Sequence, residues 1–184
     1  IKQSGEINAG PTNEHYRRHL HRMRDLLKGA TGLVLDVGCD NPLIGASLLP
    51  PTSHYIGLDP FCTNESEFRV IGVGEFLPMQ TGSCNCVMFN TSLDHIMDWR
   101  RAIAEAGRVL VDGGILYVCS LVWTDNADLI SDTVHFHHFR EYELLGSLGD
   151  FEIIQIRRYD YKGDSHRHGI YLSARKLGDR RQGI

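Results

Sequence analysis

The chain has 184 residues, long enough to bury a sizeable core and within the range of one domain. Its hydrophobic content of 42% and charged content of 23% are those of an ordinary globular protein. A formal charge of −4 argues against polyanion binding as the main activity, and no apolar run approaches the roughly 20 residues that span a bilayer.

A single domain over 1–184 is expected, with a loose arm at 1–13, a helix at 14–28 and a core at 30–176. The arm carries Gly5, Gly10 and Pro11 among polar residues. It lacks the basic-then-apolar pattern of a secretory signal. Tyr16, Leu20, Met23, Leu26 and Leu27 then recur at helical spacing, predicting an amphipathic helix that caps the sheet or covers a ligand. Arg17, Arg18, Arg22 and Arg24 would form its solvated face.

Leu33 to Val37 is a short branched apolar run, read as a strand buried on both faces. It ends in Asp36, Gly38 and Cys39. A helix follows with Pro42 near its first position and Leu43, Ile44, Leu48 and Leu49 on its apolar face. Strand, glycine turn and helix make a ligand crevice at the carboxyl ends of an open α/β sheet. A second strand, Tyr55 to Leu58, ends in Asp59 and Pro60, with Asp59 lying 21 residues after Gly38. A carboxylate there can accept both hydroxyls of a ribose.

Only one helical turn fits between Asp59 and Phe68, and a short strand is expected at 68–72. A fourth strand is predicted at 85–90, a helix at 98–110 and a fifth strand, near-continuously apolar, at 114–121. Residues 123–137 form a long connection of the kind that carries a site. After a helix at 140–148, Phe151–Tyr161 and His168–Lys176 alternate around a turn at 162–165, the mark of an antiparallel hairpin. Cys39, Cys86 and Cys119 sit in or at the ends of strand patterns and read as reduced, buried thiols, so a cytoplasmic location is expected. Cys84 and Cys86 lack a zinc-ligand spacing.

Five stretches together resemble the class I S-adenosylmethionine-dependent methyltransferases: Asp36-Val37-Gly38-Cys39, the strand ending at Asp59, Gly74-Glu75-Phe76-Leu77-Pro78-Met79, Cys86–Asn90 with Ser92-Leu93-Asp94-His95, and Arg108–Leu116 with its two glycines. The resemblance covers roughly residues 30–175. It implies an α/β, Rossmann-like sheet of seven strands, mostly parallel, in the order 3-2-1-4-5-7-6 with strand seven antiparallel, flanked by helices. It also implies S-adenosylmethionine as cofactor. Asp36 would anchor the methionine amino group, Gly38 and Cys39 would present backbone, and Asp59 with Pro60 would face the ribose. Gly74, Glu75 and Phe76 would face the adenine, and Asn90 would stand beside the methyl group. The family's further glycines are replaced by Asp40 and Pro42, and the acid it carries two residues before Glu75 is replaced by Val73.

On the substrate side, His95 is a candidate general base because imidazole titrates near neutrality. Asp94, His135, His137 and His138 are candidate substrate contacts, with His135 and His137 sharing one face if the segment is extended. Their linear spacing matches no closed zinc site, and no metal is expected. The reading is methyl transfer to a small molecule, with an oxygen nucleophile preferred and neither nucleic acid nor membrane as partner. A methyltransferase-like domain without turnover is the alternative. A nicotinamide-dependent dehydrogenase fits less well, because the third glycine of its phosphate loop is missing.

Overall fold

The computed structural model describes residues 14–61, 68–124, 135–161 and 163–178. The expected arm at 1–13, the single turn before Phe68 and most of the 123–137 connection lie outside them. Seven strands form one sheet in the order β3-β2-β1-β4-β5-β7-β6. These are β1 (Gly32–Val37), β2 (Ser53–Leu58), β3 (Arg69–Val70), β4 (Cys84–Asn90), β5 (Leu110–Trp123), β6 (Phe151–Tyr161) and β7 (Asp164–Lys176). Strands β1 to β5 pair in parallel, and β7 runs antiparallel to both β5 and β6. The expected order and the closing hairpin are both present.

Helices α1 (Glu14–Leu26) and α2 (Pro42–Leu48) cover one face of the sheet, and α3 (Trp99–Val109) and α4 (Glu141–Gly146) cover the other. On the α3 side Leu35, Val37, Val87, Phe89, Leu116 and Val118 pack against Trp99, Ala102, Ile103 and Ala106. On the α1 side Val34, Tyr55, Met88, Tyr117 and Tyr171 meet Met23, Leu26 and Leu27. The alternation of side chains along β1 and β4 assigns each residue to one layer or the other.

Three local expectations are corrected. In α2, Leu43 faces water at 62% exposure while Pro42, Gly45 and Leu48 are buried. Asn41 accepts from the Leu43 N–H at 3.1 Å and caps the helix, and that start turns Gly45 rather than Leu43 towards the sheet. Helix α1 covers a face of the sheet as expected, but half-buried Arg22 leaves the solvated face: its guanidinium sits 3.9 Å over the Tyr159 ring. Strand β5 begins at Leu110, directly after α3, and passes through Gly113 at φ 76°. Cys84 pairs with Leu110 and Cys86 with Ile115 across a register shift, which places the two thiols in opposite core layers.

Candidate active site

Strands β1 and β4 are neighbours whose connections leave in opposite directions, so their carboxyl ends flank the sheet's switch point. Asp36 is 1% exposed there. Its Oδ2 accepts from the Tyr55 hydroxyl at 2.8 Å, and its Oδ1 has no hydrogen-bond partner among the described residues. Burial, reinforced by the charge of Asp59 and opposed by the Tyr55 hydrogen bond, pushes the carboxyl up to about 7. A Cβ on Gly45 would sit 2.4 Å from Asp36 Oδ2, so only glycine lets α2 close over this pair.

Register pairs Asp36 with Met88, so Asn90, two residues further on, shares the face of Asp36. Its Oδ1 is likewise buried and accepts no hydrogen bond of normal geometry among the described residues. Asp36 Oδ1 thus stands without a donor at one strand tip, and Asn90 stands beside it at the next. Helix α1 reaches this place: His19 lies against the Asn90 side chain, its Nδ1 is 2.9 Å from the Tyr171 hydroxyl, and burial pushes its pKa down to about 4. Tyr16, a turn earlier, is close enough to Asp40 for that charge to raise its pKa after burial.

Gly38 takes φ 77°, and Ser92 occupies the space a Cβ would need, at 2.5 Å. The Ser92 hydroxyl donates to the Val37 carbonyl and so ties the β4 exit to the β1 exit. Gly38 and Cys39 both donate their N–H groups to the Leu58 carbonyl, at 2.7 and 3.2 Å. Asp59 accepts from the Asp40 N–H at 3.1 Å and the Phe61 N–H at 2.8 Å, one on each oxygen. Asp40, where the family has glycine, adopts φ 47°, a conformation glycine takes without strain. Pro60 is exposed beside it.

The loop of Gly74, Glu75 and Phe76 is tied to α3. Glu75 Oε1 accepts from the Asp98 N–H at 3.1 Å, and its carbonyl accepts from Arg101 at 3.0 Å. The Arg101 guanidinium covers the exposed Phe76 ring at 3.9 Å. Arg108, paired with Glu105, donates to the carbonyls of Leu77 and Met79, both at 2.9 Å. Gly74 is buried against Val37 and Ala102. The Glu75 carboxylate thus serves the start of α3.

Beyond β4 a single turn, Leu93–His95, carries Asp94 and His95. The Asp94 carbonyl accepts from the N–H groups of Phe136 and His137, at 2.9 and 3.1 Å. These two hydrogen bonds bend the segment, so His135 and His137 do not share a face. His135 lies 4.7 Å from His95 and 6.1 Å from His138, ring to ring. His137 instead points its Nε2 at the Met97 carbonyl, 2.9 Å away, and stacks on Phe139. His138 meets Trp123 edge-on at 5.8 Å. His95, His135, His138 and Asp94 are therefore brought together, and His137 is not. Tyr55, Gly45, Ser92 and His19 were not singled out as site residues from the sequence. Tyr55 carried a usable signal, since a tyrosine inside a parallel strand needs an acceptor for its hydroxyl.

An open α/β sheet with acids at the tips of β1 and β2 and a crevice at its switch point is the frame of a nucleoside-binding fold. The family model described as "Methyltransferase domain" matches residues 12–182, and the chain belongs to that family, the class I S-adenosylmethionine-dependent methyltransferases. A putative methyltransferase from Bacillus halodurans superposes with a TM-score of 0.69 at 15% identity, over 86% of this chain and 99% of that one. The 1,6-didemethyltoxoflavin-N1-methyltransferase of Burkholderia thailandensis, solved with 1,6-didemethyltoxoflavin and S-adenosylhomocysteine bound, gives 0.68 at 17% over 87% and 79%. The cyclase SpnF shares the same fold, with a TM-score of 0.70 at 19% identity over 89% and 82%. No curated protein matches the chain in sequence.

S-adenosylmethionine is the cofactor of the family, and the residues present fit it. Its ammonium and sulfonium are cations, and the crevice offers a buried carboxylate oxygen, Asp36 Oδ1, that lacks a donor among the described residues, with the Asn90 side chain beside it. The two backbone donors on Asp59 leave each oxygen a further lone pair for a ribose hydroxyl. Bound there, the cofactor supplies an electrophilic methyl group. The chain's own part is to hold donor and acceptor in line and keep water out.

Proposed function

We propose that this chain transfers the methyl group of S-adenosylmethionine to an oxygen atom of a small-molecule acceptor. The observation that carries the reading is the buried Asp36 Oδ1, which has no donor among the described residues, with Asn90 beside it at the tip of the adjacent strand on the face that α1 and α2 cover. Asp36 orients the ammonium end, Asp59 the ribose, and Asn90 borders the methyl position.

The acceptor enters past the β4 exit. His95, at 41% side-chain exposure beside Asp94, is placed to take the proton of an acceptor hydroxyl. His135, His138 and Trp123 give this rim an apolar body with polar tips, which suits a compact acceptor better than a polyanion. No helix of the described residues is long and apolar enough to cross a membrane. A single domain in the cytoplasm is consistent with all of this.

Incubation with methyl-labelled cofactor and a panel of hydroxylated and aminated small molecules tests the reading. Label on oxygen that falls by roughly 10²–10⁴-fold in His95→Ala supports it. Label only on nitrogen would overturn the choice of nucleophile.

One observation favours a second reading. Asp59 already spends one lone pair of each oxygen on the loop of Asp40 and Phe61, in a site whose glycines are replaced. A methyltransferase-like domain that binds cofactor without turnover would show S-adenosylhomocysteine binding and no label transfer to any acceptor.

A further inference from the structure

Asp94 and His95 come from the turn after β4, and His135 comes from the segment that docks on the Asp94 carbonyl. One ligand atom from each of the three lies within 4.8 Å of the others. Asp94 Oδ1 is 4.0 Å from His95 Nε2, and Asp94 Oδ2 is 3.9 Å from His135 Nε2. Both distances exceed the about 2.7–3.2 Å of a hydrogen bond to nitrogen. Both fall within the roughly 4.2 Å that two metal–ligand bonds of about 2.1 Å can span. The gap between carboxylate and imidazoles has the width of a cation.

A second observation points to the same place. Asp94 is only 7% exposed, yet its Oδ1 accepts no hydrogen bond among the described residues. Each carboxylate oxygen faces one imidazole across a gap too long for a hydrogen bond, and a buried carboxylate needs a positive partner.

We infer that Asp94, His95 and His135 form a binding site for a divalent transition-metal ion such as zinc, manganese or iron(II). Two imidazoles and one carboxylate are the borderline ligand set those ions take, and three protein ligands leave coordination positions open. The linear spacing gave no hint of this, because the third ligand is supplied by a separate segment folded back onto the turn. The site belongs to the acceptor side: the turn that carries Asp94 and His95 follows directly on Asn90, the last residue of β4.

The role of the ion rests on the methyl-transfer reading. An acceptor hydroxyl coordinated at an open position loses its proton to water more easily. Its oxygen lone pair then forms the C–O bond while the S–CH3 pair returns to sulfur, leaving S-adenosylhomocysteine. In the metal-free chain His95 is the base; with the ion bound its lone pair is on the metal, and the coordinated acceptor gives its proton to water instead.

The test is titration of the untagged full chain with Co²⁺ alone, followed by visible absorption, then by competition with Zn²⁺. S-adenosylhomocysteine binding is measured on the same samples. We expect one equivalent of Co²⁺ with ligand-field bands and no thiolate charge-transfer band, displaced by Zn²⁺. At least a tenfold weaker Co²⁺ affinity is expected in His135→Ala and in His95→Ala. Both side chains are partly exposed, at 33% and 41%, so the variants keep the fold and bind S-adenosylhomocysteine as the parent does. Absence of Co²⁺ uptake, uptake unchanged in both variants, or a thiolate band would overturn the site. Metal binding without S-adenosylhomocysteine binding would keep the site and overturn the function it is assigned.

Discussion

The Tyr55 hydroxyl donates to Asp36 Oδ2 at 2.8 Å across two neighbouring strands. Register places Tyr55 opposite Val34 and Gly57 opposite Asp36, so the phenol reaches diagonally over a glycine that leaves it room. The acid at the heart of the crevice is thus held by a single donor, with its other oxygen left for a ligand. Tyr55→Phe removes that donor. Because the hydrogen bond lowers the Asp36 pKa, its loss lifts the carboxyl further above about 7. The variant should lose about 1–3 kcal/mol of stability at pH 8 and less at pH 5, measured by denaturant unfolding.

Asp36 itself sets a pH dependence. Its folded pKa of about 7 lies above the about 4 of an unfolded aspartate. The stability this contributes is complete below about pH 4 and is lost as pH rises through about 7. Asp36→Asn should therefore unfold at higher denaturant than the parent at pH 8, with the difference shrinking towards pH 4. The same variant should bind S-adenosylhomocysteine at least tenfold more weakly at pH 8. A variant that is less stable at pH 8 would show that the buried carboxylate is already compensated.

His19 works in the opposite sense. Burial holds its pKa at about 4 in the fold, against about 6.5 when unfolded. Between those values the unfolded chain binds a proton that the folded chain refuses, so stability falls as pH drops from about 6.5 towards 4. His19→Gln should flatten that limb of the thermal stability profile. A limb of unchanged slope would move its origin to another group.

Asp59→Ala should weaken S-adenosylhomocysteine binding by more than about 1 kcal/mol, since hydrogen bonds to a charged group contribute roughly 1.5–3 kcal/mol. The loop of Asp40 and Phe61 also loses its acceptor, so a smaller loss of stability accompanies it. Unchanged affinity by calorimetry would mean that the ribose is held elsewhere.

Much of this was legible in the residues. The strands, the acids ending β1 and β2 and the closing hairpin were legible because apolar periodicity and turn chemistry are local signals, and the sheet order came from the family resemblance. What depended on three-dimensional convergence was not. The Tyr55 contact needs a register between strands, and the placement of His135 needs two N–H groups folding back onto one carbonyl. The exposed Leu43 follows from where Asn41 starts the helix, which composition does not reveal. That Glu75 accepts from the Asp98 N–H, 23 residues away at the start of α3, was not readable from its loop.

The most direct test of a methyltransferase crevice between β1 and β4 is calorimetric titration with S-adenosylhomocysteine at pH 6 and pH 8. The ligand's ammonium favours an ionised Asp36, so binding should be one-to-one, with a dissociation constant below about 100 µM at pH 8. It should be tighter at pH 8 than at pH 6, with net proton release on binding at pH 6. No detectable heat at about 1 mM ligand, or affinity that is equal at both pH values and unaffected by Asp36→Asn, would contradict the account.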